Sequence, residues 1–276
     1  MAEEKSKSTG RIAVKGALLH HVRTEASLDL SLVVICHNVA DRIEALLGEW
    51  REFFVGTAVP FEILAVNDGS TDGTGRVLDK MRRENACLRV IHQLHIGEPL
   101  ATRRAYDHAR GRYLLRVDGE GACGPEIFEP LWAGREGRMI VIGRRARKPI
   151  GLWGLAIERC LRMLSRGLFR VAIEDPGCPA RLLLRPAALV SIRNLPESIR
   201  HADLALCVWL LSAQPSLVAE VDVGVRVVPR PPVAWRRPSP TRRALGFARD
   251  LLRLRRWSWT QPFRGAAGAL PARLPA

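Results

Sequence analysis

No CxxC pair occurs in this chain. Its six cysteines, Cys36, Cys87, Cys123, Cys160, Cys178 and Cys207, lie far apart. That spacing argues against a zinc ribbon and a compact disulfide framework, and it suits a reduced, cytosolic setting. No apolar run approaches the roughly 18 residues of a membrane-spanning helix. The longest, Leu204 to Leu211, has the length of a core helix. The opening MAEEKSKSTGRIAVKGALLHHV lacks the unbroken apolar centre of a secretory signal. Internal repeats are missing, as are RNP, zinc-finger and helix-turn-helix signatures. Acidic residues are in deficit: 28 Asp and Glu face 43 Lys and Arg, for a net charge of +15. Such a balance implies an anionic partner, whether nucleic acid, phosphorylated substrate or acidic lipid headgroups.

What remains is an ordinary globular composition, with 276 residues, 47% of them hydrophobic and 26% charged. That suffices for one large domain with an appendage. Residues 1–28 read as a polar, flexible tail, 29–229 as the main domain, and 230–276 as a basic segment rich in Arg, Pro and Trp. Leu30 to Ile35 reads as a buried strand, and Ile43, Leu46, Leu47, Trp50, Phe53 and Phe54 follow at helical spacing. Phe61 to Val66, Leu88 to Ile91, Tyr113 to Val117 and Met139 to Gly143 are further strands. A helix around Val77 to Met81 follows the second strand. Another starts at Glu98-Pro99 and is expected to close at Gly111. Strands alternating with helices predict an α/β fold, a mostly parallel sheet covered on both faces.

Ligands of such sheets bind beyond the carboxyl ends of the strands. Three polar clusters fall there: Cys36-His37-Asn38, Asn67-Asp68-Gly69-Ser70 and Asp118-Gly119-Glu120. The second belongs to NDGSTDGT, more polar than a plain turn requires. Carboxylates at strand ends can accept hydrogen bonds from nucleobase N–H and ribose O–H groups. Two carboxylates in Asp118-Gly119-Glu120 can hold a hard divalent cation such as Mg2+ or Mn2+.

LSLVVICHNVADRI, EILAVNDGSTDGT, LLRVDGEGACGPE, EDPGCPARLLLRPAAL and SIRHADLALCVWLL together resemble the family 2 glycosyltransferases over about Leu30 to Pro229. Within them the sequence is most similar to the polyprenyl-phosphate (dolichyl-phosphate) mannosyltransferase-like branch. The resemblance implies a GT-A, Rossmann-like domain. It also implies inverting transfer of a sugar from a UDP- or GDP-linked donor to a polyprenyl phosphate or other glycan acceptor. It places Cys36, His37, Asn38, Asp68, Gly69, Asp118 and Gly119 at the donor nucleotide, and Asp118 with Glu120 at the metal. Asp203 and Arg181 fall at the reacting end, and Arg230, Arg236 and Arg237 at the acceptor phosphate. The chain departs from the family where DxD reads Asp118-Gly119-Glu120 and where Asn-x-Gly reads His95-Ile96-Gly97. It departs again where Gly-Phe-Arg reads Pro179-Ala180-Arg181 and where Glu-Asp reads Ala202-Asp203.

Two stretches mix arginine with apolar bulk. In the first, Arg159, Arg162, Arg166 and Arg170 alternate with Leu155, Leu161, Leu164 and Leu168; the second is Leu251 to Trp257. Basic amphipathic helices of this kind suit an anionic membrane surface. The expected location is therefore cytoplasmic, peripheral at the inner face of the membrane, with a separate membrane-spanning partner left open. Two alternatives stand beside this reading. One is a degenerate domain that binds nucleotide or a partner without turnover. The other, a nucleic-acid binder, explains the charge but not the carboxylate rim.

Overall fold

The computed structural model describes residues 28–145, 152–171, 173–196, 198–199, 202–226 and 240–260. Residues 1–27 of the expected tail, and Arg230, Arg236 and Arg237, lie outside these residues. Strand β1 (Leu30–Cys36) is the middle of a parallel set. It pairs with β2 (Phe61–Asp68) on one side and β4 (Tyr113–Asp118) on the other, and β3 (Leu88–Gln93) adds beyond β2. β5 (Ile140–Arg145), β6 (Arg181–Leu184) and β7 (Val218–Val223) complete a seven-stranded sheet of order β3-β2-β1-β4-β6-β5-β7. β6 runs antiparallel to both β4 and β5, and β7 parallel to β5. The first five strands fall where apolar runs predict them. β6 does not announce itself, because its four residues, RLLL, are too few to show alternation and are buried throughout.

Because successive residues of a strand point to opposite faces, each strand feeds two cores. Leu32, Val34, Leu115 and Val117 meet helices α1 (Ile43–Val55) and α2 (Thr74–Glu84), with α4 (Phe128–Ala133) alongside. Val33, Leu114, Ile142 and Leu183 face α3 (Glu98–His108), α6 (Arg185–Asn194) and α7 (Ala202–Ala213). The long helices α5 (Leu152–Phe169) and α8 (Pro240–Thr260) cover the same side. Phe247, Leu251 and Leu254 of α8 are core residues, and Trp257 packs edge-on to Trp209 with centroids 5.7 Å apart. Much of the apolar bulk in the basic C-terminal stretch is thus spent inside. The same holds for α5, where Leu161, Leu164 and Leu168 pack inward.

Gly111 does not stop a helix, as its position suggested. α3 already ends at His108, and Ala109 is extended. A β-carbon on Gly111 would lie 2.4 Å from Leu30 C and Ser31 N, so only glycine lets the chain pass against β1. Glu62 secures the crossing. Its carboxylate accepts from Ser31 Oγ at 2.6 Å, the Arg110 N–H at 2.7 Å and Arg89 Nη1 at 2.7 Å.

A second buried carboxylate ties the far half of the sheet. Asp175, fully buried, accepts from the Arg145 backbone N–H at 2.9 Å, from its Nε at 2.7 Å and from its Nη2 at 2.6 Å. Arg145 Nη2 also reaches Glu158 of α5 at 3.1 Å. Removing one member strands the other charge in the interior. Asp175→Ala should therefore cost about 3–5 kcal/mol, read as a lowered urea midpoint at unchanged slope.

Candidate active site

The carboxyl ends of β1, β2 and β4 lie side by side, with Cys36 opposite Asn67 and Ile35 opposite Asp118. Most polar groups of NDGSTDGT brace the β2 turn against the β1 turn. Ser70 Oγ accepts the Asn38 N–H at 3.0 Å, and Asn38 Oδ1 accepts the Thr71 N–H at 2.8 Å. Asp72 reaches across to the Ala40 N–H at 3.0 Å and also takes the Thr74 N–H and hydroxyl at 3.0 and 2.6 Å. Thr74 Oγ1 in turn accepts the Val39 N–H at 2.9 Å. Asn38 adopts φ 52°, a left-handed conformation that asparagine tolerates better than most residues. The excess of hydroxyls and carboxylates in the motif is therefore explained first by this cross-brace.

Asp68 is different. Its side chain is 2% exposed, and both oxygens point at the loop after β3. Oδ1 accepts from Gln93 Nε2 at 2.7 Å and the Ile96 N–H at 3.0 Å; Oδ2 accepts the Gly97 N–H at 3.0 Å and faces His95 Nδ1 at 2.9 Å. The Asp68 carbonyl receives His37 Nδ1 at 2.6 Å and His95 Nδ1 at 3.1 Å, and the two rings lie 4.2 Å apart. Gly69, with φ 64°, leaves room for this loop: a β-carbon there would be 2.4 Å from the His95 backbone nitrogen. The 93–97 loop is thus part of the rim. In the sequence this loop stands out only as a departure from the family pattern, because His37 and His95 lie 31 and 27 residues from Asp68 along the chain and meet it only in the fold.

Cys36 does not line the rim with its side chain. It is fully buried beside Val34, and burial pushes its thiol up to about 12. Asp118 is half-buried, and its Oδ1 accepts the Ala122 N–H at 3.1 Å. Gly119 packs on the end of β1, where a β-carbon would come within 2.6 Å of the Ile35 carbonyl oxygen. Glu120 is half-buried and close enough to Arg42 for its charge to act there. Arg42 is raised above its ordinary value, first by its hydrogen bond to Asp41 and further by the Asp41 and Glu120 charges. Arg181 is buried on β6 opposite Arg116 of β4. Asp203 belongs to the first turn of α7.

Two donor sets bear on a divalent cation. Among the described residues, His37, Asp68 and His95 offer ligand atoms within 4.8 Å of one another, near enough to share an ion. Their atoms already hydrogen-bond one another and the 93–97 loop, so an ion there would displace those bonds. Asp118 and Glu120 supply hard oxygen donors at the β4 end, the chemistry that Mg2+ and Mn2+ prefer.

The mostly parallel sheet with polar strand ends is an α/β fold, and its solved neighbours make that fold GT-A. Glucosyl-3-phosphoglycerate synthase from Mycobacterium tuberculosis, in complex with Mn2+ and UDP-glucose, aligns at TM-score 0.60 and 19% identity. The alignment covers 86% of this chain and 82% of that one. Mannosyl-3-phosphoglycerate synthase from Rubrobacter xylanophilus aligns at TM-score 0.57 and 17% identity, over 94% and 81% of the two chains. The family model "Glycosyl transferase family 2" matches residues 31–170, and the chain belongs to that family. A dodecaprenyl-phosphate galacturonate synthase of Rhizobium johnstonii is 27% identical over 69% of this chain and 56% of its own length. A dolichyl-phosphate β-glucosyltransferase of Trichomonas vaginalis is 31% identical over 61% and 57%. The chain thus spans a little over half the length of these curated relatives.

The cross-brace carries a pH signature. Burial works against the Asp72 charge, but hydrogen bonds from Thr74 and the Ala40 N–H outweigh it and hold the carboxyl below its ordinary 3.8. A group lowered in the folded state stabilises above its unfolded value and loses that contribution as pH falls through its folded value. Asp72→Asn weakens the charge-assisted hydrogen bonds and, because Asp72 is exposed, should be less stable than the parent by only about 0.5 kcal/mol at pH 7. The gap should close only below 3.8, the ordinary value, as the parent carboxylate protonates. Paired denaturant titrations between neutral and strongly acid pH measure it.

Proposed function

We propose that this chain is the catalytic domain of an inverting glycosyltransferase that moves a sugar from a nucleotide-sugar donor to a polyprenyl phosphate. The observation that carries the reading is the Asp118-Gly119-Glu120 carboxylate pair, held at the end of β4 beside the braced β1 and β2 turns of a family 2 domain. The donor side is supported by the solved neighbour whose complex contains Mn2+ and UDP-glucose. The acceptor side is supported by relatives named for dodecaprenyl and dolichyl phosphates.

In this reading Asp68 acts on the nucleobase edge, directly or through the 93–97 loop that it holds. His37, Asn38 and Gly69 wall the same pocket. Asp118 and Gly119 take the ribose side, and Asp118 with Glu120 would hold Mg2+ or Mn2+. The ion, when bound, neutralises charge on the departing diphosphate. Asp203 orients the acceptor or takes its proton, and Arg181 stands behind the reacting groups. Arg230, Arg236 and Arg237 serve the acceptor phosphate.

The protein works at the inner face of a membrane in this reading, and α5 is the surface that favours it. Leu152, Trp153, Leu155 and Met163 are exposed there, and Arg159, Arg166 and Arg170 stand among them. Leu155, Arg159, Met163 and Arg166 line an open groove of about 440 Å3 together with Glu158 and Arg162. Arg162 also donates to the Glu174 carbonyl at 2.7 Å, so part of the stripe serves the fold. Among the described residues no helix is long and apolar enough to cross a membrane.

Calorimetric titration with UDP, GDP and their sugar conjugates, with and without Mn2+, tests the reading. One nucleotide should bind in a Mn2+-dependent manner, and Asp118→Asn should weaken it by about tenfold or more. Nucleotide binding that ignores Mn2+, with no sugar transfer to a short polyprenyl phosphate, would favour a non-catalytic domain. No binding by the folded protein would sink the transferase.

A further inference from the structure

A pair of like charges lies behind the strand-end rim. Arg116 and Arg181 stand directly opposite each other in the antiparallel ladder of β4 and β6. Both side chains therefore emerge on the same face, with β-carbons about 5 Å apart. The two residues are 7% and 6% exposed. A guanidinium keeps its proton even when buried, so these are two like charges side by side in the interior. Arg181 Nη2 donates to the carbonyls of Pro176 and Cys178 at 3.3 and 3.4 Å. Arg116 Nη2 donates to the carboxylate of Glu98.

Glu98 is the first residue of α3 and follows Gly97, whose N–H is held by Asp68. Its side chain is 57% exposed, against 9% for that of Arg116. The tip of Arg116 therefore meets the surface at the seam between the 93–97 loop and β4. Asp118 follows Arg116 by two residues, on the same face of the strand.

We propose that Arg116 and Arg181 form a phosphate site, and that Glu98 is the exchangeable anion that occupies it until substrate arrives. The proposal rests on the glycosyltransferase reading and assigns the phosphate recognition within it. A guanidinium pair offers forked donors that match phosphate oxygens, and a phosphate brings more negative charge than one carboxylate. Glu98 can yield its place because its side chain is largely exposed and solvent screens its charge. Two phosphates come to such an enzyme. One is the donor diphosphate: as the acceptor oxygen attacks the anomeric carbon, the bond from that carbon to the β-phosphate oxygen breaks. The electron pair stays on the phosphate, and a fixed cation there takes up the charge. The other is the phosphate monoester of the acceptor.

Calorimetry on the full chain with Mn2+ present, using UDP, GDP and farnesyl phosphate as probes, tests the site. Arg116→Met keeps the volume and removes the charge; Glu98→Gln keeps the fold and removes the competing anion. Thermal unfolding checks both variants. Arg116→Met should weaken one class of probe by about tenfold or more, and Arg116→Lys should restore part of it. Glu98→Gln should tighten the same class severalfold, a gain that a merely structural ion pair would not produce. Loss confined to the nucleotide assigns the donor diphosphate, and loss confined to farnesyl phosphate assigns the acceptor. If wild-type protein binds these probes and a folded Arg116→Met binds them equally well, the phosphate site is wrong. Should Arg116→Met not fold, unchanged affinities in Glu98→Gln overturn it as well. If wild-type protein binds none of the probes, the glycosyltransferase reading fails and takes this site with it.

Discussion

A single buried carboxylate organises the working edge of this domain. Asp68 ends β2 and receives the Gln93 side chain, the Ile96 and Gly97 N–H groups and the His95 ring. Burying a carboxylate is costly unless donors meet it, and the donors that meet Asp68 fix the path of the loop. That loop leads straight into α3, whose first residue, Glu98, meets Arg116. The strand-end rim and the arginine pair behind it are therefore connected through a few covalent bonds and one saturated acceptor. An exposed aspartate could contact a ligand as well, but it could not also position the loop.

The positive excess of the chain is divided between two physical roles. Arg89, Arg116 and Arg145 are tied to Glu62, Glu98 and Asp175, and these ties join strands to the segments that cross them. Such buried or half-buried pairs specify geometry more than they add stability, since desolvation offsets much of the attraction. Arg159 and Arg166 on α5, and Arg170 directly after it, stand exposed beside apolar side chains that the core does not use. Composition alone merges the two groups into one number, +15.

The legible part of the site was its address. NDGSTDGT after an apolar strand and a second carboxylate cluster four elements later mark two strand ends, and the sheet sets those ends side by side. Less legible was the use of each group. Asp72, Thr74, Ser70 and Asn38 turned out to be the brace between two turns. Cys36, read as part of the pocket wall, faces the core because a strand residue alternates with its neighbours and Val34 already points inward. Gly111 illustrates the same limit. A glycine beyond a helix suggests a stop, yet the reason for it is β1, some eighty residues earlier in the chain.

By itself the sequence determined the alternation of strands and helices, the first five strands and the strand ends where polar groups gather. Each is local, written in the period of apolar residues over a few turns or a single strand. The tertiary structure alone decided that β6 inserts antiparallel between β4 and β5, which places Arg181 against Arg116. It also decided that helix α8, for all its arginines, closes the core with Phe247, Leu251 and Leu254. Strand pairing and helix docking depend on which distant surfaces bury each other best. No window of neighbouring residues contains that information.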